Sequence, residues 1–361
     1  MITIKEIAKM ANVSAATVSH VINGTAKISP ETTKRVMDVI NKVNYKPNSI
    51  AKSLKIKRTN TIGIITEDIT VFNTPEIING INEHAENCGY HIILNNLRLY
   101  KRIGNNYKDT SKFTDLVSDI VGDLVNRQVD GIIYVGAHCR DITGLIENVS
   151  VPIVYTYCYT NNESDISIYY DDELAAYEAT KYLIMNNHRK IGVITGSLSS
   201  IQCQERLKGY QRALFDNNIL FNPQYMKIGN WELEQGYLAA KELLSLSDAP
   251  TAIFSMNDVM AGGVIEAAKE LGISIPKELS LVGFDNRECS YSYSPKLTTM
   301  SLPLYEIGKK GAEILIKMIN DKKSSKAPHD QNNTENKIKL NCVLIQRESV
   351  FENPDKSFKI S

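Results

Sequence analysis

Between residues 3 and 45 apolar positions recur every three or four residues, in three short groups. Ile4, Ile7, Ala8 and Ala11 form the first, Val13, Val18, Val21 and Ile22 the second, and Val36, Val39, Ile40 and Val43 the third. That spacing places each group on one face of a helix. Local signals mark the ends. Thr3-Ile4-Lys5-Glu6 is a capping box that opens the first helix. Asn12 tolerates the left-handed backbone that a tight inter-helix turn requires. The second helix runs from about Ser14 to Asn23 and stops at Gly24. Ser29 caps the third, with Pro30 in its first turn. Three short helices, the first two joined tightly, predict a helix-turn-helix unit.

From Thr61 the period changes. Short runs rich in Ile and Val occupy 62–65, 91–94, 131–135, 152–155, 190–194, 251–254 and 280–283. Most are followed by a polar loop and a stretch of helical spacing, which predicts parallel βαβ units with helices on both sheet faces. The pattern from Ile62 to about Thr160 repeats from Ile191 to about Asn286, so two similar lobes are expected. Ligands of such sheets bind beyond the carboxyl ends of the strands, here in a cleft between lobes.

The 361 residues carry a formal net charge of zero, which conceals an asymmetry. Residues 1–58 hold eleven Lys and Arg against three Asp and Glu, a net +8, leaving 30 basic against 38 acidic elsewhere. A basic head on an acidic body suits a polyanion-binding module attached to something else. The leading end of the second helix fits that reading, because Ser14, Ala15, Ala16 and Thr17 are all small. A helix that enters the DNA major groove by its N-terminal end must be stripped in this way. Ala15 and Ala16 can touch thymine methyl groups, Thr17 and His20 share a face from which to bond base edges, and Ser14 can meet phosphate at the helix N-terminus. A three-helix interaction domain without a DNA role is the alternative.

Other classes find less support. No run approaches the length of a membrane span, and the N-terminus lacks a secretory apolar stretch. Six scattered cysteines form no C-x-x-C pair, and six histidines show no metal-ligand spacing, so a reduced cytoplasmic protein without metal or cofactor is expected. There is no P-loop and no G-x-S-x-G, so no enzyme is expected. In the body, Arg206, Asn257, Asp258 and Asp285 follow strand ends or open the next helix, and Trp231 is the only tryptophan. Arg206 can bind vicinal hydroxyls, carboxylate or phosphate, Asp285 can accept from two hydroxyls, and Trp231 can stack on a sugar or a purine. Equally, Arg206 can make a salt bridge, Asn257 and Asp258 can cap a helix, and Trp231 can pack in a core.

The segments "TIKEIAKMANVSAATVSHVIN", "ISPETTKRVMDVINKVNYKPN" and "IAKSLK" closely resemble the DNA-binding head of the lactose-repressor type (LacI/GalR) regulators. Asn12 stands where the family usually has Gly, and His20 where members carry Arg or His. The resemblance implies a helix-turn-helix head over 1–46, with Asn23 joining Ser14, Ala15, Ala16, Thr17 and His20 at DNA. It implies a hinge helix and linker over 47–60. There Asn48, Ser49, Lys52 and Lys55 would contact DNA and Leu54 would wedge a base step.

The body continues the resemblance through R-x-x-G-Y at Arg206, N-D-x-x-A-x-G at Asn257 and V-G-F-D ending at Asp285. It implies a periplasmic-binding-protein-like pair of parallel-sheet lobes over 61–361. The N-lobe would take about 61–160 plus 293–325, and the C-lobe about 161–292 plus 326–361. It assigns effector contact to Arg206, Asn257, Asp285 and Trp231, leaving Asp258 structural. Asp68, Phe72 and Asn73 are first-lobe expectations, in a stretch where "TEDITVFNTPEIINGI" departs from the usual Asp-x-x-x-Pro-Phe pattern, and Tyr155 and Tyr157, following the fourth strand, are the others. The expected protein is a homodimeric or tetrameric repressor on pseudo-palindromic double-stranded operator DNA. A small-molecule effector controls it, a sugar or sugar derivative first and a purine second. Control by a protein co-regulator is a further alternative. A sugar-binding transport protein shares the body but needs an export signal and no basic head.

Overall fold

The computed structural model describes residues 2–45, 59–104, 109–321 and 336–353. The hinge positions Asn48, Ser49, Lys52, Leu54 and Lys55 lie outside the described residues, as does most of the polar stretch near residue 330. Two compact units divide the chain, Met1–Thr59 and Asn60–Ser361.

The first unit is the expected trio, α1 (Ile4–Ala11), α2 (Ala15–Asn23) and α3 (Pro30–Lys42). Its ends are set by the residues read as caps. Thr3 N–H donates to Glu6 Oε2 at 2.7 Å and Glu6 N–H to Thr3 Oγ1 at 3.3 Å. Asn12 turns the chain at φ 53° and Gly24 ends α2 at φ 65°. Ile7, Ala8, Ala11, Val18 and Val36 are buried together, with Val13, Val21, Ile22, Val39, Ile40 and Val43 packed around them. Every apolar position of the periodic pattern therefore faces one small core.

The second unit holds two six-stranded sheets. In chain order the strands are β1 (Thr61–Thr66), β2 (His91–Asn96), β3 (Gly131–Val135), β4 (Ile153–Thr156), β5 (Ile166–Tyr170) and β6 (Ile191–Thr195). They continue with β7 (Met226–Ile228), β8 (Ala252–Ser255), β9 (Ser280–Asp285), β10 (Thr298–Ser301), β11 (Lys337–Leu340) and β12 (Val343–Ile345). The first sheet runs β11-β5-β4-β3-β1-β2 and the second β12-β10-β9-β8-β6-β7. All pairings are parallel except β10 with β12. In each sheet the strand order reverses beside the founding strand, β1 or β6, which sets the switch point where such sheets bind ligands.

All seven expected runs are strands, within a residue or two at their ends. The lobe limits differ from those drawn on the sequence. β5 and β11 complete the first sheet, and β10 belongs to the second. The helix Leu304–Asp321 packs on the first lobe, against the helix Thr74–Asn87. The chain thus crosses between lobes near residues 171, 303 and 342. The helices Thr74–Asn87 and Leu304–Asp321 lie backbone to backbone. A Cβ on Gly308 would come within 1.9 Å of Ile77 O, and one on Gly80 within 2.1 Å of Tyr305 O. Among the described residues no helix is long and apolar enough to cross a membrane.

Candidate functional site

On the head, the leading turn of α2 is exposed at Ser14, Ala15 and Ala16, with Thr17 half-buried. Ser14 Oγ accepts from Thr17 N–H at 3.0 Å and shares a hydrogen bond with Thr17 Oγ1 at 2.9 Å. The Ser14 hydroxyl is therefore first a helix cap. The free N–H groups of this turn face solvent beside small side chains, with no acidic residue in the turn. His20 is exposed, and its Nδ1 lies 2.9 Å from Thr25 Oγ1. Asn23 is the last residue of α2.

In the body, the ends of β8 and β9 of the second sheet and of β5 of the first meet at Arg206, which the helix Ile201–Asp216 carries. Its residue is only 4 % exposed. Nε donates to Asp172 Oδ1 at 2.7 Å, one terminal nitrogen donates to the carbonyl of Met256, and the other to Tyr170 Oη at 2.9 Å. Asp285 Oδ1 stands 3.8 Å from that second nitrogen. The guanidinium lies 3.7 Å over the Phe284 ring and 5.6 Å from that of Trp231. Arg206 is thus clamped by two carboxylates, a phenol, a carbonyl and aromatic rings.

Trp231 owes its place to Gly196, where a Cβ would come within 1.9 Å of the indole. Asn257 caps the helix Asp258–Glu270 by accepting from Met260 N–H at 2.8 Å, and its amide donates to Trp231 O at 2.9 Å. Asp258 is fully buried, accepting from Thr299 Oγ1 at 2.6 Å and Arg287 N–H at 2.8 Å, as a structural role requires.

The electrostatics follow from one guanidinium serving two buried carboxylates. Burial pushes the Asp285 carboxyl up to about 8 against the pull of Arg206, and Asp172 is also raised by burial against the same pull. Asp172 has the short contact and Asp285 the long one, so Asp285 holds its proton more readily. Burial pushes Asp258 up to about 6, despite its bonds to Thr299 and the Arg287 backbone. Backbone strain gathers here too. Tyr157 (φ 57°), Trp231 (φ 79°), Asp285 (φ 109°) and Asn286 (φ 55°) all adopt positive φ. Such conformations cost of order 1–3 kcal/mol each and concentrate at functional sites.

The first lobe answers differently from expectation. Asp68 Oδ1 accepts from Thr70 N–H at 3.0 Å and Thr70 Oγ1 at 2.7 Å, and Oδ2 from Tyr100 N–H at 3.0 Å. Its carboxylate braces a loop instead of facing the cleft. Tyr155 is buried in the core layer on the far face of its sheet, 6.2 Å from the Tyr134 ring. Two residues on, Tyr157 packs on Tyr170 at 5.6 Å and so joins the Arg206 side. Phe72 does reach across the lobes, its ring 4.8 Å from the Arg287 guanidinium. Asn73 is 0 % exposed, with neither atom of its amide hydrogen-bonded within the protein.

Five residues were not expected from the sequence: Asp172 and Tyr170 around Arg206, Arg287 beside Asp285, and a second buried pair, Glu67 with Arg140. Arg140 grips Glu67 with bonds of 2.8 and 2.6 Å, and Tyr134 Oη and Ala137 N–H each add one at 2.7 Å. Burial pushes the Glu67 carboxyl up, but Arg140 and these donors together hold it below its ordinary value. The signals available were "YYDD" ending β5 and "GAHCR" following β3, charges set just past apolar strands. Among the described residues no group of His, Cys, Asp and Glu could hold a metal ion.

A two-lobed α/β body with a charged, strained cluster at its strand ends, joined to a helix-turn-helix unit, is the architecture of a ligand-binding transcription factor. Comparison with known proteins agrees. Residues 3–48 match the bacterial regulatory proteins of the lacI family, and residues 180–350 match the periplasmic binding protein-like domain. The chain is 35 % identical over 332 residues to the HTH-type transcriptional repressor PurR of Vibrio vulnificus, covering 90 % of this chain and 94 % of that one. It is 34 % identical over 355 residues to the ribose operon repressor of Haemophilus influenzae, covering 97 % and 99 %. A lac repressor dimer bound to operator and the anti-inducer ONPF superposes with a TM-score of 0.74 at 24 % identity, covering 97 % and 99 %. The chain belongs to the LacI family of bacterial regulatory proteins. It is a DNA-binding transcriptional regulator.

Proposed function

We propose that this protein is a repressor that binds a pseudo-palindromic operator as a homodimer in the cytoplasm, and that a small ligand in the cleft controls its affinity. The head would read DNA through Ala15, Ala16, Thr17, His20 and Asn23, with Ser14 presenting the N-terminus of α2 to phosphate. The hinge residues Asn48, Ser49, Lys52, Leu54 and Lys55 belong to this proposal on the strength of their motif. The ligand site is Arg206, Asp285, Trp231 and Asn257, faced by Phe72, Asn73 and Tyr157. Asp68 and Tyr155 are not part of it, because their polar atoms or ring are engaged elsewhere.

The observation that carries this reading is the buried Arg206 cluster set where strand ends of both sheets meet, with Asp285 left to meet a ligand. A polyhydroxylated ligand, a sugar or sugar derivative, suits a carboxyl beside an indole face, and a ribose operon repressor is among the relatives. A purine base is the second reading, favoured by the ring faces of Trp231 and Phe72 and by relatives named PurR. By linkage, a ligand that induces binds the DNA-free form more tightly, and one that corepresses does the reverse.

The test is a thermal-shift panel of free sugars, sugar phosphates and purines on wild type and Asp285→Asn. Saturation at 100 times Kd stabilises the folded state by about 2.7 kcal/mol. A compound that shifts wild type and not the variant supports the site. A compound that shifts both equally binds somewhere else.

A further inference from the structure

We propose that the ligand of this cleft carries an anionic group, a phosphate monoester or a carboxylate, and that Arg287 is the residue that receives it. The inference rests on the reading that the Arg206 cleft is the ligand site, and it names the class of ligand that site takes.

Three guanidiniums stand around the Asp285 turn, and two of them are engaged. Arg206 is held by Asp172, Tyr170 and the Met256 carbonyl. Arg347 donates to Asn286 Oδ1 and Leu297 O at 2.7 Å each and to Ser290 Oγ at 3.1 Å, and its charge acts on the Asp258 carboxyl. Arg287 differs. Its backbone N–H serves Asp258, but among the described residues its guanidinium makes no hydrogen bond or ion pair. That group is half-buried and lies 4.8 Å over the Phe72 ring of the first lobe. An arginine in this state offers charge and a planar fork of donors.

The surrounding acids do not cancel it. Burial pushes the Asp285 carboxyl up to about 8, so near neutral pH it is mostly protonated and presents an O–H donor. Glu67 is neutralised by Arg140 at 2.6 Å, and Asp68 is tied to Thr70 and the Tyr100 N–H. Glu76 and Glu288 are exposed to solvent, which screens them.

The first lobe supplies a second, independent sign. Next to Phe72, Asn73 is fully buried and neither atom of its amide is hydrogen-bonded within the protein, and the buried hydroxyls of Thr66 and Thr74 are likewise unpartnered. Buried polar groups are seldom left in that state. Thr66 ends β1, and Asn73 precedes the helix Thr74–Asn87 without capping it. Donors gathered at a helix N-terminus suit negative charge. On the same rim Arg98, Lys101 and Arg102 are exposed and make no ion pair among the described residues. Their segment is fixed to the end of β1 by Leu97 N–H to Thr66 O and Leu99 N–H to Glu67 O, each at 2.9 Å. This rim is positive on a body with more acidic than basic residues, which draws anions toward it.

The experiment titrates the full chain by calorimetry, as wild type, Arg287→Gln and Arg287→Lys. The probes are three matched pairs: ribose with ribose 5-phosphate, glucose with glucuronate, and adenosine with its 5′-monophosphate. In wild type the charged member of a binding pair wins by at least about tenfold, the least expected from a hydrogen bond to a charged group. Arg287→Gln loses that margin by weakening the charged member alone, and Arg287→Lys keeps part of it.

An uncharged member that binds wild type as tightly as its charged partner overturns the anionic class while leaving the cleft as the ligand site. Failure of every charged member to bind overturns that class too. A margin that persists unchanged in Arg287→Gln overturns the role of Arg287. Should that variant not fold, the wild-type margins still decide the class of ligand. The winning compound is also titrated into Asp285→Asn, where unchanged affinity overturns the cleft reading itself.

Discussion

Replacing Arg206 with Met removes one positive charge from between two carboxylates and leaves the volume nearly filled. Asp172 loses a 2.7 Å charge-assisted bond and Asp285 the guanidinium that, among the described residues, stands within 4 Å of it, both in a site shielded from water. Breaking a buried pair by removing one partner costs about 3–5 kcal/mol, because the remaining charge is uncompensated. The expected loss for Arg206→Met at pH 8 lies in that range, read from urea denaturation of the body. The double variant Arg206→Met with Asp172→Asn should recover much of it, since exchanging a whole buried pair for neutral groups is often close to neutral.

pH supplies an independent signature. The folded-state carboxyls of Asp172 and Asp285 already titrate above their ordinary value through burial, and losing Arg206 raises them further. A raised carboxyl binds more protons folded than unfolded. Its contribution is therefore full below the unfolded value near 4 and is lost as pH rises through the folded one. Arg206→Met should accordingly be much closer to wild type at pH 5 than at pH 8. A cost below about 1 kcal/mol that does not change with pH would refute the clamped arrangement, because exposed pairs behave in that way.

Five further outcomes follow. Asp285→Asn should weaken ligand binding at least about tenfold, the least expected from losing a charge-assisted hydrogen bond. The same variant should be as stable as wild type or more so at pH 8, where Asp285 must otherwise ionise in a buried site. Gly308→Ala places a methyl against the Ile77 carbonyl and should destabilise the body by about 1–3 kcal/mol or more, read as a lower denaturation midpoint. Ser14→Ala removes the cap of α2 and should cost the head about 1 kcal/mol in thermal denaturation of its helical signal. Operator affinity should fall about 10³- to 10⁵-fold between 50 and 200 mM salt if 6–10 phosphates are contacted, and a flat response would speak against a phosphate-anchored complex.

The head was legible because its instructions are local. Thr3 with Glu6, Asn12, Gly24 and Ser29 each act within four residues, and the structure has each doing so. Six of the seven expected strands were legible because burial on both faces writes continuous Ile and Val runs, and the half-buried edge strand β2 because it carries Ile-Ile-Leu. β5, β7, β10, β11 and β12 escaped: β7, β11 and β12 are three- or four-residue edge strands, and β5 (Ile166–Tyr170) and β10 (Thr298–Ser301) carry Ser, Thr and Tyr in place of a continuous Ile and Val run. The lobe limits escaped for a related reason. Which sheet receives β5 or β10 is decided by where the chain crosses, and no local period encodes that.

In the site, Arg206, Trp231, Asn257 and Asp285 were found because each follows a strand end or its helix. Their meeting was an implication of family resemblance. Tyr155 was misplaced through strand parity. Its side chain faces the Tyr134 layer, while the left-handed turn at Tyr157 directs that ring toward Tyr170. Asp172 was missed because an acidic first turn reads as ordinary helix capping. Its pairing with a residue 34 positions away is a tertiary fact.

The central claim is that a ligand in the cleft governs the affinity of the head for DNA. It is tested most directly by fluorescence anisotropy on the full chain and a selected operator duplex, with and without the compound that shifts wild type in the panel. The account predicts a change in operator Kd of at least about fivefold, the lower end of ordinary allosteric coupling, in wild type and none in Asp285→Asn. A compound that saturates the cleft yet leaves the operator Kd unmoved would contradict it.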